Sequence, residues 1–357
     1  MGRKIAVVLF NLGGPDKPAS VQPFLKNLFR DPAIIRAPLP IRWLLARLIS
    51  RTRAPAVIKN YAMMDAGGGS PLLRETELQA RALEAELAKT LPGNDVKCFI
   101  AMRYWHPFTE EAAADVKRWG ADDVVLLPLY PQFSTTTTGS SLTAWKAAFK
   151  GQAKTVCCYP FDENFVAAHV DRIMDGHRRA GEPEQVTLLL SAHGLPEQVV
   201  REGDPYQWQC EALAEMIAGR VPAHWEVIPC YQSRVGPLKW IGPATEAEVE
   251  RAAKAKKHIL IAPIAFVSEH IETLVELGEE YRLVAEADGA ASYTRVEALG
   301  THAGFIRTLA DETVAALGMK GEIRSCAGGR LCPSDWTGCP HAVTQQKAGE
   351  RVVEQAL

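Results

Sequence analysis

Two apolar runs in this chain share one design, and together they constrain the fold more than any other feature. Residues 5–11 (IAVVLFN) lead into Leu12-Gly-Gly-Pro15, and residues 186–192 (VTLLLSA) lead into His193-Gly-Leu-Pro196. An apolar run without alternation reads as a strand buried on both faces, which requires a parallel sheet covered by helices. Segments 123–138 and 258–273 repeat a second pattern of strand, proline and polar exit. Further strand-like runs at 96–104 and 225–230 alternate with helix-like stretches at 75–89, 113–119, 165–177, 207–219 and 246–254. The expected fold is therefore α/β, with two similar doubly wound, Rossmann-like parallel-sheet halves sharing a central cleft. The first half is expected over 1–155, with a lip near 34–53, and the second over 156–318. Short Gly- and Cys-rich sequence follows Met319, so 319–357 is expected as an appendage that joins neither sheet.

A net charge of −2 gives no basic field able to release counterions from phosphates, which argues against a nucleic-acid partner. The N-terminus carries two positive charges before an apolar segment of strand length with no cleavage-like end, so a cytoplasmic protein is expected. No apolar run approaches the roughly 20 residues needed to cross a bilayer, which leaves only peripheral membrane contact. Residues 34–53 set Trp43, Leu44, Leu45, Leu48 and Ile49 among five arginines. That pattern fits either a core helix with a basic outer face or an interfacial helix on anionic lipid. Loops at 11–15, 67–71 and 135–141 are rich in glycine or hydroxyls, yet none has Walker or Gly-x-Gly-x-x-Gly spacing, so a nucleotide cofactor is poorly supported.

The apolar run at 261–267 stops in a row of proton-binding side chains, and the run at 186–192 stops at His193. Glu269, Glu272, Glu276 and Glu280 are spaced three, four and four apart, so a helix stacks them on one face, with Ser268 able to cap it. His270 falls about 200° from Glu272 on an ideal helix, which places it in the preceding turn or makes it an orienter of its neighbours. Open parallel sheets place ligands beyond the carboxyl ends of their strands, so both ends point to one crevice with two histidines and several carboxylates. Such a crevice can move protons, metal ions or both. Among eight cysteines, the tail cluster Cys326, Cys332 and Cys339 is a candidate for metal or cluster ligation, with unliganded thiols or structural zinc as the alternatives.

Several motifs occur together: Ser191-Ala-His-Gly-Leu-Pro196, Gly203-Asp-Pro-Tyr206, Cys230-Tyr-Gln-Ser-Arg-Val-Gly-Pro237 with Trp240, and Phe266-Val-Ser-Glu-His-Ile-Glu-Thr-Leu274. With Leu127-Pro-Leu-Tyr-Pro-Gln-Phe-Ser134, Thr138-Gly-Ser-Ser141 and Met102-Arg-Tyr-Trp-His-Pro107, the chain resembles the ferrochelatases over residues 4–315. The resemblance implies a lyase that inserts ferrous iron into protoporphyrin IX with release of two protons, the last step of haem synthesis. It implies that His193 and Glu272 act at the metal, with Glu269, His270 and Glu276 as further catalytic groups. It also implies that Tyr104, Phe266 and Trp240 line the porphyrin pocket, and that Arg53, Ser70 and Arg103 hold propionates. Coproporphyrin or cobalt chelation is the near alternative. A non-catalytic porphyrin carrier is the distant one, and the retained acids argue against it.

Animal members of that family carry a two-iron two-sulfur cluster on one body cysteine and three tail cysteines. Here the tail cysteines are more widely spaced, and Thr135 stands where the animal body cysteine would be. The resemblance implies such a cluster on Cys326, Cys332, Cys339 and one of Cys157 or Cys158, with Cys158 favoured. The sequence leaves the oligomeric state open, a homodimer being one option.

Overall fold

The strand β1, Lys4–Asn11, is buried from its second residue to its last. This is what a central strand with helices on both faces demands. The computed structural model describes residues 2–64, 69–233 and 238–342. Gly67 and Gly68 of the glycine loop, Arg234–Pro237 of the Cys230 motif and residues 343–357 of the tail lie outside the described residues.

Beside β1 run β2, Asp95–Met102, and β3, Asp123–Pro128, followed outward by β4, Lys154–Cys158, and β9, Ile323–Ser325. All pairings in this first sheet are parallel, in the order β2-β1-β3-β4-β9. The second sheet consists of β5, Val186–His193, β6, Glu226–Gln232, β7, His258–Pro263, and β8, Ser292–Arg295, in the parallel order β6-β5-β7-β8. The first half carries α1, Val21–Arg30, α2, Leu39–Ala62, α3, Leu72–Thr90, α4, Thr109–Trp119, and α5, Thr138–Ala148. The connection α6, Glu163–Arg179, leads to α7, Glu197–Arg201, α8, Tyr206–Ala218, α9, Thr245–Lys254, a π-helix at Glu272–Glu280, α10, Tyr281–Ala287, and α11, Ala303–Gly318.

Two parallel-sheet α/β halves are thus present, as the sequence indicates. One core joins them: Val7, Leu9 and Leu127 of the first sheet belong to the same buried cluster as Leu188, Leu190 and Leu260 of the second. Phe305 and Leu309 of α11 complete it, and α11 packs on both α3 and α6. Truncating such a leucine to alanine costs about 2–5 kcal/mol. Polar ties span the halves as well. Gln79 of α3 donates to the Val267 and Gly300 carbonyls at 3.0 and 3.1 Å, and Gln132 donates to the Ile264 carbonyl at 2.9 Å.

Two expectations need correction. The tail does join a sheet: β9 pairs with β4 in the register Thr155 to Ile323 and satisfies an edge that would otherwise expose unpaired backbone groups. A buried ion pair, Arg324 Nη1 to Glu312 at 2.7 Å, fixes that strand to α11. The break expected between 155 and 156 also falls inside β4, which belongs wholly to the first sheet.

Candidate active site and thiol site

β5 delivers His193 to its carboxyl end, where the ring is half-buried. Its Nδ1 lies 2.7 Å from the Gly194 carbonyl. A carbonyl only accepts, so Nδ1 carries a proton and the neutral ring keeps its lone pair on Nε2. Gly194 has no room for a side chain, because an added Cβ would meet the Gln232 carbonyl at 2.9 Å and the Trp240 ring at 3.2 Å. Trp240 therefore packs against the turn that holds His193. Phe266, just beyond β7, meets the His193 ring edge-on at 6.2 Å between centroids and the His270 ring at 4.3 Å.

His270 precedes the π-helix, the first of the two positions its angular mismatch leaves open, and its Nδ1 accepts from the Thr273 N–H at 3.3 Å. The same nitrogen stands 3.4 Å from the Glu272 carboxylate. The helix itself has the wider i→i+5 turn instead of the expected α geometry. Its first turn presents the Glu272 carbonyl and the Glu276 carboxylate to one donor, Gln232 Nε2, at 3.2 and 3.0 Å.

The acids differ in what they have left to offer. Glu269 faces Arg295 Nη1 at 2.8 and 3.0 Å and accepts from the Thr273 hydroxyl at 2.6 Å and the Ala298 N–H at 2.9 Å. Burial alone would raise its pKa, but the Arg295 charge and these hydrogen bonds outweigh it and hold the carboxyl below its ordinary range. Glu276 accepts from Gln232, from the Ser233 N–H at 2.8 Å and hydroxyl at 2.5 Å, and from the Tyr281 hydroxyl at 2.7 Å. Ser233 adopts φ 62° to make its two bonds, a conformation few non-glycine residues accept. Glu280 lies further along, its carboxyl raised by burial and by the charges of Glu276 and Glu246.

Tyr61 of α2, which no sequence pattern singles out, is buried and lies close enough to Glu272 to feel its charge. Burial first, and Glu272 second, push its phenol well above the usual range. Arg103 donates from Nε to Ser140 at 2.7 Å and from Nη2 to buried Asp31 at 2.8 Å, which aims the remaining edge of the guanidinium. Tyr104 is fully buried, with its hydroxyl on Asp31 at 2.8 Å, and packs in a cluster with Val275 of the π-helix, so its ring faces the core. Arg53 is half-buried on α2. On the outer face of that helix, Leu39, Ile41, Trp43, Leu44 and Leu48 are exposed. Lys26, Arg30 and Arg47 lie within 5.5–5.9 Å of the Trp43 ring. Among the described residues, no helix is long and apolar enough to cross a membrane.

A second site lies behind β4. No disulfide links any of the eight cysteines. Gln209 Nε2 donates to Cys332 Sγ at 3.1 Å and lies 3.6 Å from Cys158 Sγ, while Cys157 Sγ is 3.5 Å from Cys158 Sγ. Cys339 is drawn down to about 6, chiefly by the Cys332 thiol and against burial, with help from the backbone N–H groups of His341 and Ala342 and from Arg330. Cys326 lies beside Cys158 through an N–H to carbonyl bond of 3.0 Å, but burial pushes its thiol up to about 12 and its sulfur meets the Phe161 backbone. Among the described residues, no three His, Cys, Asp or Glu side chains gather around the position of a single ion. Cys158, Cys332 and Cys339 are buried, with Cys326 and Cys157 adjacent to Cys158.

The ferrochelatase family profile matches residues 4–317. A ferrochelatase of Hyphomonas neptunium is 77% identical over 356 residues, covering 100% of both chains. One of Caulobacter vibrioides is 58% identical over 342 residues, covering 95% of this chain and 98% of its own. Among solved structures, SirB from Bacillus subtilis with Fe3+ superposes with a TM-score of 0.51 at 12% identity, over 88% of this chain and 96% of its own. At that identity the likeness speaks for the fold alone, which is a chelatase-like one.

Proposed function

The chain belongs to the ferrochelatase family, and from that premise we propose that it is a lyase inserting ferrous iron into protoporphyrin IX, with release of two pyrrole protons. The observation that carries the mechanism is the hydrogen bond from His193 Nδ1 to the Gly194 carbonyl. It leaves Nε2 as an acceptor for a pyrrole proton, the task an imidazole suits near neutrality. Glu272, paired with His270, takes the opposite side of the macrocycle as the second metal and proton group. Imidazole and carboxylate donors suit ferrous iron without the grip of thiolates. Phe266 and Trp240 form aromatic walls that can hold the ring out of plane and expose a nitrogen lone pair. Arg103, Arg53 and Ser70 anchor propionates, the arginines through planar forks matched to carboxylates. Glu269 and Glu276 serve as positioning groups, since the donors around them already occupy their oxygens. Anaerobic mixing of the protein with ferrous iron and protoporphyrin IX should yield metalloporphyrin absorbance. Turnover confined to coproporphyrin would overturn the substrate assignment.

Cys158, Cys326, Cys332 and Cys339 would hold a two-iron two-sulfur cluster. Such a centre contributes one-electron redox capacity and ties the tail to the first sheet. What supports this is the shared amide donor on Cys158 and Cys332 and the adjacency of Cys326. Iron and acid-labile sulfide in equal amounts in the purified protein would establish it. A zinc-containing or metal-free, fully active preparation would remove it. The exposed apolar and basic face of α2 supports peripheral contact with anionic lipid on a cytoplasmic protein. Liposome flotation at low salt tests that contact.

A further inference from the structure

Gln209 of α8 is completely buried and makes its contacts in two directions. Its Oε1 accepts from the Phe133 N–H at 2.8 Å. A backbone N–H can only donate, so this bond fixes the amide and turns its NH2 toward the sulfurs of Cys332 and Cys158 at 3.1 and 3.6 Å. Phe133 opens the loop that ends in α5. The next residue, Ser134, takes the Gly139 N–H on its carbonyl at 3.0 Å, and Ser140 then meets Arg103 at 2.7 Å. A second clamp runs in parallel. The tail residue Gly338 donates to the Gly203 carbonyl at 2.9 Å, and neighbouring Asp204 accepts from Ser134 at 2.9 Å and from the Thr135 N–H and hydroxyl at 2.7 and 2.6 Å. Hydrogen bonds, joined by the Phe133–Ser134 and Gly139–Ser140 peptide links, thus connect the thiol site to the guanidinium proposed to bind a propionate.

We propose that Gln209 is a positioning residue that couples the metal state of the thiol site to porphyrin affinity, through the Phe133–Gly139 loop and Arg103. The sulfur-facing half of this inference rests on the iron–sulfur reading above; the Phe133-facing half does not. Hydrogen bonds to cluster sulfurs shift reduction potentials, so removing the amide donors should move the potential downward. Removing the acceptor should free the Phe133 loop and weaken porphyrin binding without slowing the chemistry.

The test compares purified wild type with Gln209→Met, which loses both halves, and Gln209→Glu, which keeps an acceptor but not the two donors. Three quantities are read: protoporphyrin IX affinity by fluorescence, the reduction potential by spectroelectrochemistry, and kcat. For Gln209→Met, affinity should fall about five-fold, the worth of one lost hydrogen bond, with kcat nearly unchanged and a lower potential. For Gln209→Glu, affinity should stay at the wild-type value while the potential falls. A folded Gln209→Met that binds porphyrin like wild type overturns the coupling; if that variant does not fold, an unmoved potential in Gln209→Glu does so. Should the wild type contain no iron and sulfide, the cluster reading fails by itself, and the affinity loss in Gln209→Met still decides the loop connection.

Discussion

The ends of β5 and β7 bring similar side chains to one crevice and prepare them in opposite ways. β5 presents one histidine held by one hydrogen bond, with no partner for its other nitrogen among the described residues. The segment after β7 presents three carboxylates and a histidine, and two of the carboxylates are saturated by donors. A carboxylate that accepts several bonds from fixed partners is a strut, because moving it breaks all of them together and protonating it sets a donor against a donor. On the proposed function, availability, more than the number of acids, separates the groups that do chemistry from those that hold them.

The sharpest attack on this contrast is His193→Ala beside Glu272→Gln. Each removes a group with spare coordinating capacity and leaves the surrounding core intact, so each should lower kcat by about 10²-fold or more with little change in melting temperature. If both variants turn over at near wild-type rates, the distinction drawn between the two strand ends has no mechanistic content.

Much of this was legible in advance, for reasons that also explain what was not. Buried parallel strands are continuous apolar runs, so β1, β3, β5 and β7 stand out in the sequence. β8 is a four-residue polar edge strand, half-buried throughout, and β9 has only three residues, so neither carries a pattern. The approach of the β5 and β7 ends, which sets Phe266 beside both His193 and His270, could be read from the two apolar runs. The division of labour among the acids could not, because it is set by distant partners: Arg295 and Ala298 for Glu269, Gln232 and Ser233 for Glu276. Tyr61 was invisible for the same reason, since only tertiary packing brings α2 beside Glu272. Nothing in the spacing of the acids distinguishes a π-helix from an α-helix.

The second test breaks a strut. Glu269→Gln leaves Arg295 without its partner in a largely buried setting, and removing one side of such a pair costs about 3–5 kcal/mol. Turnover should fall far less than for His193→Ala. The pH dependence follows from the lowered carboxyl. A group depressed on folding contributes stability that is complete above its unfolded value and is lost as pH falls through the folded one. Wild type should therefore lose this increment below the ordinary value near 4.5, and Glu269→Gln should not. Chemical denaturation of both proteins across that range measures it, and parallel curves would mean that the ion pair contributes nothing.

The smallest effect is expected at Glu276, and it separates a neutral strut from an ionic one. Among the described residues its donors are an amide, a backbone N–H and two hydroxyls, with no cation. Glu276→Gln keeps one acceptor oxygen and turns the other position into a donor facing donors, so the loss should be about 1–3 kcal/mol, the range for a buried donor left without an acceptor. Ser233 should then leave its φ of 62°, since the bonds that hold it there are the ones weakened. Backbone amide exchange at residue 233 should accelerate, while kcat falls by less than in either His193→Ala or Glu272→Gln. A loss of turnover equal to theirs would place Glu276 among the groups that handle protons and erase the boundary between strut and reagent on this side of the crevice.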